Sequence, residues 1–195
     1  MHVFLLRHGE STSDIEDRYG GDYDDHLTPK GLAEARELAE KLTDKGIEVI
    51  YSSPRIRAKE TADILKERLE CKMEINSDLR ERNAYGVMTG MVKAEAKEKY
   101  PEMAEAVKFY GNTIEGAESY EGFTERVRRV FEELTSSQHE TIAVLTHGGP
   151  IRCFFREVVK LGELKSLGDC AVFELEKNGS GYKVVKIEGA VKASS

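Results

Sequence analysis

The chain has 195 residues, enough for one well-buried core and too few for two comfortable domains. Apolar residues make up 39% and charged residues 33%, a soluble globular balance, and no apolar run approaches the roughly 20 residues of a membrane helix. A formal net charge of -7 argues against a nucleic-acid binder, which needs a basic face, yet permits a small anionic ligand in a locally positive pocket.

His2 to Leu6 reads as a first strand. The apolar run is too short, and charge at Arg7 comes too soon, for a secretory signal; a cytoplasmic protein is expected. A polar loop, Ser11 to Leu27, follows and is expected to be a solvated rim that helps gate a pocket. Its acids lack the EF-hand spacing. Thr28 and Pro29 open a helix, because threonine caps and proline suits a first turn that needs no N–H. Leu32, Ala35, Leu38, Ala39 and Leu42 share one helical face, and Gly46 suits the stop. Ile47 to Tyr51 reads as strand two. SSPR enters a second helix that buries Ala58, Ala62, Leu65 and Leu69, and Lys72 to Ile75 makes a short third strand. Residues 77–118 are broken by Pro101, Gly111 and Gly116 and are expected to form a cap or lid.

The stripe Tyr120, Phe123, Val127, Val130, Phe131 and Leu134 marks the next helix. Ile142 to Leu145 suits a central strand, and HGGP leads into a helix from about Ile151. Cys170 to Leu175 and Tyr182 to Ile187 flank the turn Asn178-Gly179-Ser180-Gly181 as a closing hairpin. The charged stretch after Ile187 is expected to fray. Cys71, Cys153 and Cys170 form no C-x-x-C pair and read as small buried hydrophobes. Alternating strands and helices predict one α/β domain over residues 1–195. It has three layers: a mostly parallel central sheet, helices on both faces, and a closing C-terminal hairpin.

Three polar motifs sit at predicted strand ends, where open α/β sheets place ligands. They are Arg7-His8-Gly9-Glu10, Ser52-Ser53-Pro54-Arg55-Ile56-Arg57, and Thr146-His147-Gly148-Gly149. Each alone reads as an ordinary turn or helix entry; together they suit a phosphate. Guanidinium forks match its oxygens, neutral imidazole is a nucleophile, and a helix opening after His147 would aim free N–H groups at an anion. His2, His26 and His139 lack motif context and read as structural or surface residues.

LLRHGES, LTPKGLAEA, SSPRIRAKETA and VLTHGGPIR resemble the motifs of the histidine phosphatase superfamily, which includes cofactor-dependent phosphoglycerate mutases. The resemblance covers most of the chain. It implies a phosphohistidine on His8, a cradle of Arg7, Arg57 and His147, and contact from Gly148, with no metal. LRERNAYG resembles the family's acid segment and implies Glu81 as proton donor to the leaving oxygen. Asp14 stands where the family has an asparagine that donates to phosphate; a carboxylate there repels a dianion unless protonated or turned away.

The acceptor separates a mutase from a phosphatase. ERNAYGVMTGMVKAEAKEKY resembles the mutases' substrate segment with one residue more, which implies substrate contacts from Arg82, Tyr85 and Lys93. Against this, Lys97 to Glu118 is short and has no arginine, and GAESYEGFTERV resembles the phosphatase branch. The balance leans narrowly to a phosphoglycerate mutase primed by 2,3-bisphosphoglycerate. The alternative is a small-molecule phosphomonoesterase, and a non-catalytic phospho-ligand sensor is more remote. The expected partner is a small anionic phosphorylated metabolite, with no nucleic acid or membrane, and the chain is expected to be a monomer or homodimer.

Overall fold

The computed structural model describes residues 1–179 and 181–193, so Ser180 of the expected hairpin turn and the last two serines lie outside the described residues. Strands β1 (His2–Arg7), β2 (Val49–Ser52), β3 (Lys72–Ile75) and β4 (Thr141–Thr146) run parallel in the order β3-β2-β4-β1. β5 (Leu164–Asn178) and β6 (Gly181–Lys192) complete a six-stranded sheet as an antiparallel ribbon beside β1. The helices are α1 (Thr12–Ile15), α2 (Pro29–Leu42), α3 (Ile56–Leu69), α4 (Lys93–Lys99), α5 (Pro101–Ala106), α6 (Tyr120–Leu134) and α7 (Gly148–Cys153). No described helix is long and apolar enough to cross a membrane.

Two apolar layers sandwich the sheet. Side chains alternate along a strand, so Phe4 and Leu6 of β1 face α2 and α3 with Leu38, Ile50, Leu65 and Leu145. Val3 and Leu5 face the α6 side with Val127, Phe131, Phe154 and Phe173. Both faces of β1 and β4 are covered, which is why those strands read as continuous apolar runs. The helices begin where the caps dictate. Thr28 Oγ1 accepts from the Gly31 N–H at 3.0 Å, and Ser119 Oγ accepts from Gly122 at 3.1 Å.

Several expectations shift. The loop after β1 contains α1, which starts where Asp14 Oδ2 accepts from the Ser11 backbone N–H at 2.9 Å. α7 begins at Gly148, earlier than expected, and runs into a π turn over Phe154–Val158. The hairpin is far longer than its apolar centre, and the stretch after Ile187 stays paired to Lys192, opposite Leu164. Cys153 is buried, but Cys71 and Cys170 are only half-buried. Residues 77–118 carry α4, α5 and two short turns. This segment builds a small core of its own with Tyr19, Met88, Ala96 and Ala104. Hydrogen bonds from Tyr19 to Met91 and from Gly90 to Tyr19 tie it to the loop after β1.

Candidate active site

Parallel pairing in register brings the motifs together. Arg7 lies opposite Thr146, and Ser52 lies opposite Leu145. The next residues along each strand, His8, His147 and Ser53, therefore emerge side by side at the carboxyl edge of the sheet. The two imidazole centroids are 4.9 Å apart, tilted by 60°.

His8 is buried, and its Nδ1 lies 2.7 Å from the Gly9 carbonyl. A carbonyl only accepts, so Nδ1 carries the proton and Nε2 keeps its lone pair. Arg57 Nε donates to that lone pair at 3.2 Å. Burial, then the charges of Arg57 and Arg7, hold the imidazole well below its ordinary range. It is neutral at neutral pH, the state a nucleophile needs. Gly9 is fixed by close backbone approach. A Cβ there would lie 2.5 Å from the Gly31 carbonyl oxygen, and one on Gly31 would lie 2.1 Å from that of Glu10. This contact accounts for the glycines of both the RHGE and LTPKG stretches.

Arg57 is buried in the first turn of α3. Its Nη1 bonds the Asp25 carboxylate and the Tyr23 carbonyl, each at 2.6 Å, and its Nη2 bonds the Gly21 carbonyl at 3.0 Å. Asp25 also accepts from the Ser13 N–H at 3.0 Å. The loop expected to be a solvated rim thus contains a buried acid that fixes an arginine. Arg7 donates to the Leu167 carbonyl at 3.0 Å and sits 2.9 Å from Asp169, while its buried Nε has no partner.

His147 is fully buried, with Nε2 2.7 Å from Ser53 Oγ and Nδ1 without a partner. With Ser53 donating to Nε2, Nδ1–H is a free donor. Burial and the neighbouring Arg57 and His8 depress its basicity strongly. Unpaired buried donors are costly, and here Arg7 Nε and His147 Nδ1 suit the oxygens of an anion held against His8.

Glu81 arrives from the irregular segment. Its Oε1 accepts from the Arg82 N–H at 2.7 Å and its Oε2 from the Gly149 N–H at 2.9 Å. The N–H expected to face an anion from the start of α7 is therefore taken by a carboxylate. Burial pushes the pKa of the Glu81 carboxyl up, against the lowering pull of both N–H bonds and of Arg57 and Arg7. It is thereby biased to keep a proton. The segment is held by Arg126, a buried residue of α6. Its Nη1 donates to the carbonyls of Asp78 (2.7 Å) and Arg80 (3.0 Å), and its Nε and Nη2 pair with Glu118. Arg126 was not singled out by sequence reasoning. Its only signal is its place among Phe123, Val127 and Val130 on the buried stripe.

The remaining candidates divide. Gly148 and Tyr85 line a cavity of about 300 Å³ that opens beside Glu81. Tyr85 stacks on Tyr19 at 4.6 Å, and burial pushes its phenol up to about 12. Arg82 also reaches that wall, but its donors go to the carbonyls of Tyr110, Asn112 and Glu118. Lys93 pairs with Asp17 and does not line the cavity. Asp14 Oδ2 accepts from the Ser11 N–H and hydroxyl at 2.9 and 2.8 Å, with Oδ1 3.8 Å from Arg7. The carboxylate is turned to cap α1. His26 pairs with Glu60 and His139 with Glu48 at the surface. A wider depression of about 570 Å³ around Met1, His2 and His139 lies at the far end of β1 and β4 and is lined by none of His8, Arg7, Arg57, Glu81 or His147. Among the described residues, no cluster of three or more His, Cys, Asp and Glu side chains has the makings of a metal site.

A family model of the histidine phosphatase superfamily (branch 1) matches residues 3–188, and the chain belongs to that family, whose enzymes work through a phosphohistidine. It is 32% identical to a 2,3-bisphosphoglycerate-dependent phosphoglycerate mutase of Parvibaculum lavamentivorans, over 91% of each chain. It is 31% identical to a metal-independent phosphoserine phosphatase of Arabidopsis thaliana, over 87% of this chain and 74% of that one. A mycobacterial glucosyl-3-phosphoglycerate phosphatase has the same fold, with a TM-score of 0.80, 25% identity and 99% of each chain covered.

Proposed function

We propose that this chain is a phosphomonoesterase that hydrolyses small phosphorylated metabolites through His8. The observation that carries this reading is the state of the cations a mutase would use. Arg82 is bonded to three backbone carbonyls and Lys93 is paired with Asp17, so neither is free for the carboxylate of a phosphoglycerate. The phosphoryl cradle needs neither residue.

In the first half-reaction His8 Nε2 attacks phosphorus in line. The N–P bond forms as the ester P–O bond breaks. Arg7, Arg57 and His147 hold the equatorial oxygens, where charge is concentrated. Glu81 passes its proton to the departing alkoxide oxygen. In the second half, water attacks phosphorus. Glu81 takes the water's proton, the N–P bond breaks, inorganic phosphate leaves, and the histidine is regenerated with Glu81 protonated again.

The mutase reading, which the sequence narrowly favours, becomes the second one, supported by the 32% identity to the Parvibaculum enzyme. It would keep the same cradle and use 2,3-bisphosphoglycerate to prime His8. Phosphorus NMR with 3-phosphoglycerate, with and without a trace of the bisphosphate, separates them. Release of inorganic phosphate without a 2-phosphoglycerate signal is expected. Isomerisation that outpaces phosphate release and is stimulated by the bisphosphate would sink the phosphatase reading. His8→Ala is expected to abolish turnover and the acid-labile phosphoenzyme alike.

A further inference from the structure

The cavity beside Glu81 carries charge that the phosphoryl cradle does not use. Part of its wall comes from α7 and the π turn after it, through Arg152 and Arg156. Arg156 donates from Nε to the Tyr120 hydroxyl at 3.1 Å and from Nη1 to Glu163. Its guanidinium lies 3.9 Å over the Tyr110 ring, which fixes it in the wall. Arg152 donates from Nη1 to the same Glu163 at 3.0 Å and to the Leu164 carbonyl. One carboxylate therefore faces two guanidiniums, and among the described residues neither Nη2 has an acceptor. Arg82 adds a third cation to this wall, bonded to carbonyls only. On a chain of net charge -7, this is a concentrated positive patch in a concave site, where a field is focused.

The same cavity lies on the leaving-group side of the chemistry. Glu81, Gly148 and Gly149 all line it, so an alcohol protonated by Glu81 extends into it. A water occupies about 30 Å³ of liquid, so the volume of about 300 Å³ exceeds what a three-carbon alcohol fills. Tyr85 and Tyr110 offer flat walls for the remainder.

We propose that this cavity selects phosphate monoesters whose leaving alcohol carries an anionic group of its own, a carboxylate or a second phosphate, and that Arg156 sets the preference. The inference rests on the phosphomonoesterase reading. Arg156 is half-buried with one amino group open, and that Nη2 donates a charge-assisted bond to either anion. Neutral alcohols of the same shape leave that amino group unmatched.

Matched esters test this by phosphate release. The pairs are 3-phosphoglycerate against glycerol 3-phosphate, 6-phosphogluconate against glucitol 6-phosphate, and glucitol 1,6-bisphosphate against glucitol 6-phosphate. The wild-type enzyme is expected to favour the anionic member of a pair by about tenfold or more in kcat/KM. Preference in the first two pairs alone identifies a carboxylate, and in the third alone a second phosphate. Arg156→Met, which keeps an unbranched side chain but removes the guanidinium, is expected to bring the ratio toward one. Arg156→Lys is expected to retain a reduced preference, and it keeps the test sound if the methionine variant misfolds. Equal kcat/KM within every pair, or a loss in Arg156→Met that leaves the ratio intact, would overturn the subsite alone. Absence of phosphate release from every ester and from p-nitrophenyl phosphate would overturn the phosphomonoesterase reading with it.

Discussion

Gly149 has no side chain because Glu81 occupies the place where one would begin. A Cβ there would lie 2.0 Å from Glu81 Oε1, and the glycine's own N–H is the donor that holds Oε2. Alanine at this position must push the carboxylate out of the site. Gly149→Ala and Glu81→Gln are therefore expected to share a phenotype. With glycerol 3-phosphate, kcat/KM, which reports the phosphorylation step, falls by about 10²–10⁴, the usual worth of a positioned general acid. With p-nitrophenyl phosphate, whose leaving group departs without a proton, the loss in kcat/KM is far smaller. An equal loss on both esters would count against proton donation by Glu81. The sequence alone places Gly149 in the motif after β4 but does not mark Glu81. Glu81 stands in the charged run Arg80-Glu81-Arg82, which reads as solvated, and only the family resemblance singled it out. Asp25 and Arg126 were missed for a related reason: a hydrophobic pattern records which apolar groups are inside, and says nothing of a charge buried with its partner. His8 and His147 were legible because each follows directly on a strand that could be read, and Arg7 and Arg57 because they lie in the motifs at those strand ends.

At the scale of elements, α6 does two jobs with two kinds of residue. Its apolar stripe of Phe123, Val127, Val130, Phe131 and Leu134 packs under the sheet, each buried side chain worth about 1.5–3 kcal/mol. Arg126, on the same buried side, reaches out of the core to hold the carbonyls of Asp78 and Arg80. Removing it as Arg126→Met leaves Glu118 and those carbonyls without their donor. The expected cost is about 3–5 kcal/mol, the range for breaking a buried ion pair, read as a lowered urea midpoint. A change within about 0.5 kcal/mol would mean that water replaces the arginine freely. The elements that were read well are those with a clean period, among them β3, whose limits match Lys72–Ile75. The β5–β6 ribbon was read too short because Lys165, Gly168 and Asp169 at the start of β5, and Glu188, Gly189 and Lys192 at the end of β6, interrupt the apolar pattern. Charge on the open face of an antiparallel pair resembles loop.

For the molecule as a whole, two neutral histidines at the centre make stability depend on pH. Both His8 and His147 are held well below the ordinary 6.5. Below 6.5 the unfolded chain therefore takes up protons that the fold refuses. Stability is complete above that value and declines as pH falls toward the depressed ones. Glu81 works in the opposite sense. Its value is raised from 4.5, so the folded chain holds a proton that the unfolded chain has released, and this contribution is lost as pH rises through the raised value. Urea unfolding of wild type and His147→Gln between pH 5 and pH 7 is expected to show a shallower decline for the variant. The difference is bounded by about 1.4 kcal/mol per pH unit for one proton. Parallel curves would mean that His147 takes up its proton in the fold as readily as in the unfolded chain. Sheet order has a further result, in time. Both neighbours of β1 come from beyond residue 140, since β1 pairs with β4 and β5. A ribosome adding about 5–20 residues per second completes the strand that carries His8 many seconds before either partner exists. The nucleophile strand, first to be synthesised, is among the last to be enclosed, and a newborn chain must shield that apolar segment until its carboxyl third emerges.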